Sequence, residues 1–211
     1  MKKHAVKVCG MGCPDAITDI SRLRVDYLGA VFYEKSPRFA PNFQGSARAF
    51  RDLDSAIGRV GVFVDASRET IAYRTREYTL SAFQLHGHES PAFCRSLSSL
   101  GEVWKAFGID EVFDFSCLNA YEDVVDGFVF DTKTHTHGGS GRKFDRDCLY
   151  SYQGKTPFLI AGGIGVEDAR SLRMYSHPSF AGADLNSRFE IDYGIKDRDQ
   201  VELFIKEYKQ L

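Results

Sequence analysis

The sequence predicts an α/β protein built on a parallel sheet. Two patterns point there. Short runs of strand-forming apolar residues alternate with helix-like segments along almost the whole chain, at a spacing of roughly 25 residues, the size of one strand–helix crossover unit. The apolar runs also stop repeatedly on Gly, Asp or His, residue types that open a loop over a strand end.

In chain order, residues 5–9 form a strand cut off by Gly10. Residues 14–25 carry Ala16, Ile17, Ile20 and Leu23 at helical spacing, with Pro14 suited to a first turn. Residues 27–33 read as a strand that runs out into Ser36-Pro37-Arg38, and residues 42–57 as a helix. The strand at 60–64 ends at Asp65 and is followed by a helix over 67–78. The strand at 82–86 opens at Gly87; Ser90 and Pro91 then supply a cap and a first helical position for a helix to residue 100. Residues 104–107 are an extended apolar stretch, and 118–125 a short helix or turn.

The strand at 127–131 stops on Asp131 and gives way to a polar loop containing Gly138, Gly139 and Gly141. Residues 145–152 are a helix candidate, and 157–161 are the clearest buried strand, ending in Gly162-Gly163. A helix over 166–174, a strand over 180–185 and an amphipathic helix over 197–208 complete the chain. The last helix gathers Val201, Phe204, Ile205 and Tyr208 on one face.

The strand count comes close to eight. Eight units fit a small (β/α)8 TIM barrel of ~200 residues, and a doubly wound open sheet satisfies the same alternation. With no composition break or linker, the expectation is a single domain over 1–211. Apolar residues make up 43% and charged residues 27%, enough for a sizeable core with an ordinary surface. The formal net charge is -2 and no long basic run occurs, so nucleic acid is not an expected partner. No stretch approaches the ~18 apolar residues of a membrane span, and charges interrupt the N-terminal apolar stretch, unlike a signal peptide. Five scattered cysteines suit a reducing compartment, so the expected location is cytoplasmic.

Chemistry in a parallel barrel sits at the C-terminal strand ends. Those ends here offer Cys9, Arg38, Asp65, Gln84, His86, Asp131, Gly162, Gly163, Asp184, Asn186 and Ser187. The set combines a thiol, carboxylates and a guanidinium with two loops, after the seventh and eighth strands, where such barrels often bind phosphate. Taken alone, Cys9 is more often a small buried hydrophobe and Arg38 a surface charge. Cys9 with Cys13, or His86, His88, His135 and His137, lack the tight spacing of a zinc set.

In order along the chain, Lys7-Val-Cys-Gly10, Ser36-Pro37-Arg38, Gln84-Leu-His-Gly87, Phe130-Asp-Thr-Lys133 with Gly138-Gly-Ser-Gly141, Ile160-Ala-Gly-Gly163 and Gly182-Ala-Asp-Leu-Asn-Ser187 followed by Glu190 resemble the phosphoribosylanthranilate isomerase family. That resemblance implies a (β/α)8 barrel and an Amadori rearrangement of a phosphorylated aminoaldose in tryptophan biosynthesis, with no cofactor or metal. It implies Cys9 as general base and Asp131 as general acid, and Arg38 as partner of the substrate carboxylate. Gly162, Gly163, Asn186 and Ser187 would hold the phosphate, Gln84 and His86 would line the pocket, and Gly139 would belong to a cover over the substrate. The partner is a small phosphorylated molecule, and the family allows a monomer or a homodimer. The chain departs from the family pattern at Arg188, where Gly is common. Another sugar-phosphate enzyme on this barrel is disfavoured by the joint presence of Cys9, Asp131 and Arg38, and a non-catalytic binding protein by the retention of Cys9 and Asp131.

Overall fold

The structure, a computed structural model, describes residue 1, residues 3–132 and residues 145–210. Gly139 lies outside the described residues. Eight strands, β1 (Ala5–Val8), β2 (Tyr27–Val31), β3 (Gly58–Phe63), β4 (Ala82–Leu85), β5 (Glu102–Ile109), β6 (Gly127–Thr132), β7 (Phe158–Ile160) and β8 (Phe180–Leu185), pair in parallel in sequence order. β1 then pairs with β8, from Ala5 opposite Gly182 to Val8 opposite Leu185. This last ladder closes the barrel and decides against the open doubly wound sheet.

Among the described residues six α-helices surround it: α1 (Pro14–Ser21), α2 (Ser46–Arg51), α3 (Arg68–Tyr78), α4 (Pro91–Leu97), α5 (Ala169–Met174) and α6 (Arg198–Lys209). Several start on a capping side chain, of which the sequence reading named Ser90. Ser67 accepts the Thr70 N–H at 3.2 Å and Ser90 accepts that of Phe93 at 3.2 Å. Asp197 caps α6 through the N–H groups of Asp199 and Gln200, both at 3.1 Å, and the face made by Val201, Phe204, Ile205 and Tyr208 is buried as expected.

Several expected helices are shorter than read, and some segments are 3-10. The expected helix over 42–57 is a 3-10 turn, Ala40–Asn42, followed by the short α2. Gly45, with φ of 87°, separates the two, and Asp54 folds back onto the Ala56 N–H at 2.8 Å to start the next turn. The segments at 118–125 and 145–152 contain 3-10 helix, Phe115–Ala120 and Arg146–Ser151, where α-helix was one reading or the reading. Aromatic rings cover the strands there instead: Phe107 meets Phe113, Tyr121 and Phe128 edge-on, and Phe115 meets Phe130.

Side chains alternate about each strand. The outward positions, among them Val6, Val8, Leu28, Phe83, Leu85, Phe128, Phe130, Phe158 and Leu185, pack under the helices in the main core. A second cluster comprises Ala5, Val60, Ala82, Trp104, Val129 and Leu159. It fills the barrel interior toward the N-terminal strand ends, and nearer the C-terminal ends the interior turns polar. Along β1 the inward sequence is Ala5, Lys7, then Cys9 just past the strand, so one strand carries an apolar floor, a buried cation and a thiol in successive layers.

The sequence reading missed a small antiparallel hairpin, β9 (Glu190–Asp192) with β10 (Ile195–Lys196), between β8 and α6. Its strands are too short to show an alternating pattern.

Phe158 is fully buried, with ring centroids of Phe130 at 4.9 Å, His177 at 5.0 Å and Tyr152 at 5.7 Å. Phe158→Ala is expected to destabilise the protein by about 3–5 kcal/mol, read from urea unfolding, because the rigid barrel wall cannot close the cavity left behind.

Candidate active site

The C-terminal ends of the strands surround a cavity of about 550 Å³. Of the strand-end residues, Cys9, Arg38, Gln84, His86, Asp131, Gly162, Gly163, Asp184, Asn186 and Ser187 line it; Asp65 does not, and its carboxylate instead accepts the His88 N–H at 2.6 Å. They come from the ends of β1, β4, β6, β7 and β8 and from the loop after β2. Rigid strands therefore fix the reacting groups, and loops supply the rest.

At the centre lies a residue the sequence reading did not single out. Lys7 is fully buried, and its Nζ donates to Asp184 at 2.6 Å and to Gln84 Oε1 at 2.8 Å. The Cys9 thiol is its next neighbour on the same face of β1. Gly29 on β2 makes room for both: a Cβ there would stand 2.9 Å from Cys9 Sγ and 3.3 Å from Lys7 Cε. Burial alone would strip Lys7 of its proton, but Asp184 and then Cys9 hold the ammonium charged and raise its pKa above the ordinary value. One oxygen of Asp184, Oδ1, is buried without a hydrogen-bond partner.

Burial pushes the Cys9 thiol above the usual thiol range, and the Lys7 charge works against that shift. Asp131 sits at the end of β6. Its Oδ1 accepts the Thr132 N–H at 2.7 Å, and its Oδ2 lies 3.8 Å from His86 Nε2. Enclosure by the cavity walls pushes its carboxyl up to about 6, against the pull of the Thr132 N–H and the Lys7 charge. Asp131 thus keeps a proton far more readily than an ordinary carboxyl, and Cys9 has a cation beside it to receive negative charge.

Two further groups border the cavity. Arg38 is buried and gripped by Glu190, with Nε 2.9 Å from both carboxylate oxygens and Nη2 2.6 Å from Oε2. Across the mouth, Gly162 and Gly163 take consecutive positive φ values of 81° and 60°. A Cβ on Gly162 would come within 2.7 Å of Asp131 Oδ1, so a side chain there would displace the carboxylate. The Asn186 side-chain oxygen accepts from Lys196 Nζ at 2.8 Å, which leaves its NH2 as a donor. Arg188, the departure from the family pattern, does not line the cavity. It pairs with Glu167 and reaches the Gly163 carbonyl at 3.3 Å, tying the loops after β7 and β8 together.

Lys7, Asp184, Glu190 and Lys196 were given no role by the sequence reading. The signal for Lys7 was present: a lysine between valines in a predicted buried strand needs an internal partner. Lys196 finds Glu190 and Asn186 within ten residues, but in a hairpin too short to show a strand pattern, and the other partner of Glu190, Arg38, lies 152 residues away.

A parallel barrel with a thiol and a proton-retaining carboxyl facing one cavity at its C-terminal mouth is an isomerase-type acid–base enzyme in architecture. The chain belongs to the N-(5'-phosphoribosyl)anthranilate isomerase family, whose model matches residues 6–207. It is 42% identical over 203 residues to the N-(5'-phosphoribosyl)anthranilate isomerase of Parabacteroides distasonis, covering 96% of this chain and 92% of that one. The crystal structure of the Thermotoga maritima phosphoribosylanthranilate isomerase superposes with a TM-score of 0.87 at 31% identity, over 99% of this chain and 100% of that one. A structure of a phosphoribosylanthranilate isomerase in complex with reduced 1-(o-carboxyphenylamino)-1-deoxyribulose 5-phosphate superposes with a TM-score of 0.83 at 29% identity, over 99% and 100% of the two chains.

Lys7→Met removes the cation that acts most strongly on the thiol, with Lys196 as a weaker second. Alkylation of Cys9 by iodoacetamide, followed on the Cys9 peptide by mass spectrometry, is expected to shift its midpoint to higher pH in the variant. An unchanged midpoint would mean that Lys7 does not set the thiol's charge.

Proposed function

We propose that this chain, one catalytic unit over residues 1–211, carries out the Amadori rearrangement of N-(5'-phosphoribosyl)anthranilate, with Cys9 as general base and Asp131 as general acid. The product is 1-(2-carboxyphenylamino)-1-deoxyribulose 5-phosphate, and the step belongs to tryptophan biosynthesis. The observation that carries this reading is the pairing, across one cavity, of a carboxyl pushed up to about 6 with a thiol flanked by a buried ammonium.

Asp131 gives its proton to the furanose ring oxygen. The C1–O bond breaks, the anthranilate nitrogen supplies its electron pair, and a protonated imine forms at C1. Cys9, as thiolate, takes the proton from C2, and the electrons of that C–H bond move to give the enolamine. Proton return at C1 and loss of the C2 hydroxyl proton produce the ketose. Gln84 has its oxygen committed to Lys7, so its NH2 is the end available to the sugar oxygens. His86, 3.8 Å from Asp131, lines the wall beside the acid.

The two ends of the substrate are anions. Arg38 takes the anthranilate carboxylate, since a guanidinium fork matches a carboxylate. The phosphate is held by the backbone N–H groups of Gly162 and Gly163, the Asn186 NH2 and the Ser187 hydroxyl. Among the described residues no helix is long and apolar enough to cross a membrane, and all five cysteines are unpaired, which supports a cytoplasmic location.

The acid here has the lower pKa and the base the higher one. The working form, protonated Asp131 with Cys9 thiolate, is therefore a minority form whose fraction stays level between the two pKa values. The acidic limb of the kcat/KM profile is expected near pH 6 and reports Asp131. The alkaline limb reports the Cys9 thiol and lies above the ordinary thiol range. A profile already falling as pH rises past 6 would refute this ordering.

The direct test is turnover of substrate generated in situ, followed by loss of its anthranilate-type fluorescence. Cys9→Ala and Asp131→Asn are each expected to lower kcat by about 10²–10⁴-fold with the fold intact by circular dichroism. Near-full turnover in either variant would remove that residue from its role. No turnover by well-folded wild-type protein would remove the reaction.

A further inference from the structure

Arg38 reaches the cavity on the loop after β2, and Asn186 on the loop after β8. β1 lies between those strands, so no ladder joins the two loops directly. The β9–β10 hairpin does. Glu190 on β9 takes the Arg38 guanidinium along one edge, through Nε and Nη2. Lys196 on β10 holds Glu190 Oε1 at 2.6 Å and Asn186 Oδ1 at 2.8 Å. The Tyr193 ring, from the hairpin turn, stacks 4.9 Å from Arg38 Cζ. From the opposite side Gly10 fits against the same pair: a Cβ there would stand 2.6 Å from Asn186 Oδ1 and 2.8 Å from Arg38 Cδ.

A guanidinium offers five N–H donors in a rigid planar fork. Glu190 uses its side edge. The end edge, Nη1 together with the second Nη2 hydrogen, remains for another carboxylate. Glu190 therefore does not compete with a substrate carboxylate; it leaves one edge of the fork open and fixes the plane in which that edge lies. Arg38 and Glu190 are each only 6–7% exposed and Lys196 is fully buried. Buried ionic groups are poor stabilisers relative to well-packed apolar residues. A trio kept at the cavity mouth is better explained by the orientation it imposes.

We propose that Glu190, backed by Lys196, is a positioning residue that turns Arg38 end-on to the cavity and thereby sets the preference for aryl-aminosugar phosphates bearing a ring carboxylate. It acts through Arg38 and touches no reacting atom. The proposal rests on the reading of Arg38 as the carboxylate anchor.

The test compares two substrates: N-(5'-phosphoribosyl)anthranilate and N-(5'-phosphoribosyl)aniline, which lacks the carboxylate. In Glu190→Gln the ratio of their kcat/KM values is expected to fall by about tenfold or more, through a higher KM for the anthranilate substrate. The aniline substrate should stay within about twofold of its wild-type kcat/KM, a split that loss of packing alone would not produce. An unchanged ratio, or an equal loss on both substrates, overturns the proposal. If Glu190→Gln fails to fold, Glu190→Asp decides. It keeps the charge between Arg38 and Lys196 but draws the carboxylate back by one methylene, so selectivity falls if position matters, and wild-type selectivity in the folded variant overturns the proposal. Arg38→Ala separates the two readings. If that variant keeps wild-type selectivity, the anchor reading fails; if it loses selectivity while the Glu190 variants keep it, only the positioning role fails.

Discussion

The ammonium of Lys7 is the contact on which the barrel's upper half depends. A charge buried in the middle of a barrel is tolerated only with partners on several sides. Lys7 finds them on three strands: Asp184 on β8, Gln84 on β4 and the Cys9 thiol beyond its own β1. Stranding such a group by removing one partner costs about 3–5 kcal/mol. The same cation that ties these strands together also opposes the upward pull of burial on the Cys9 thiol. Structure and chemistry share one residue here, and the floor of apolar side chains below it, with Trp104 at 0% exposure, keeps water from entering underneath.

Above that layer the cavity is divided by charge. One side carries Arg38, backed by Glu190 and Lys196, and another has Asp131, whose carboxyl keeps its proton up to about pH 6. The glycines at 162 and 163 contribute space as much as N–H groups, since any side chain at Gly162 would press on the Asp131 carboxylate.

Much of this was legible in the sequence, and the reason is locality. Strands that end in Cys9-Gly10, His86-Gly87 and Gly162-Gly163 announce where backbone leaves the barrel, and the residues at those points proved to share one cavity. The start at Ser90 was equally readable, because its side chain caps through a bond to its own next turn, as those of Ser67 and Asp197 also do. The misses are non-local. The 3-10 segments near Phe115 and Arg146 depend on aromatic packing from elsewhere in the chain. Arg38 looked like a lone guanidinium because its partner Glu190 lies 152 residues away. Lys7 was visible as an anomaly in an apolar strand, but its partners were not.

The Lys7–Asp184 bond also spans 177 residues, nearly the whole chain. A ribosome releases the lysine early and its carboxylate close to the end. Until β8 emerges, neither the ladder that closes the ring on β1 nor the counter-charge of Lys7 is present. The strand that completes the barrel is therefore also the one that lets Lys7 enter the dry interior as an ion pair.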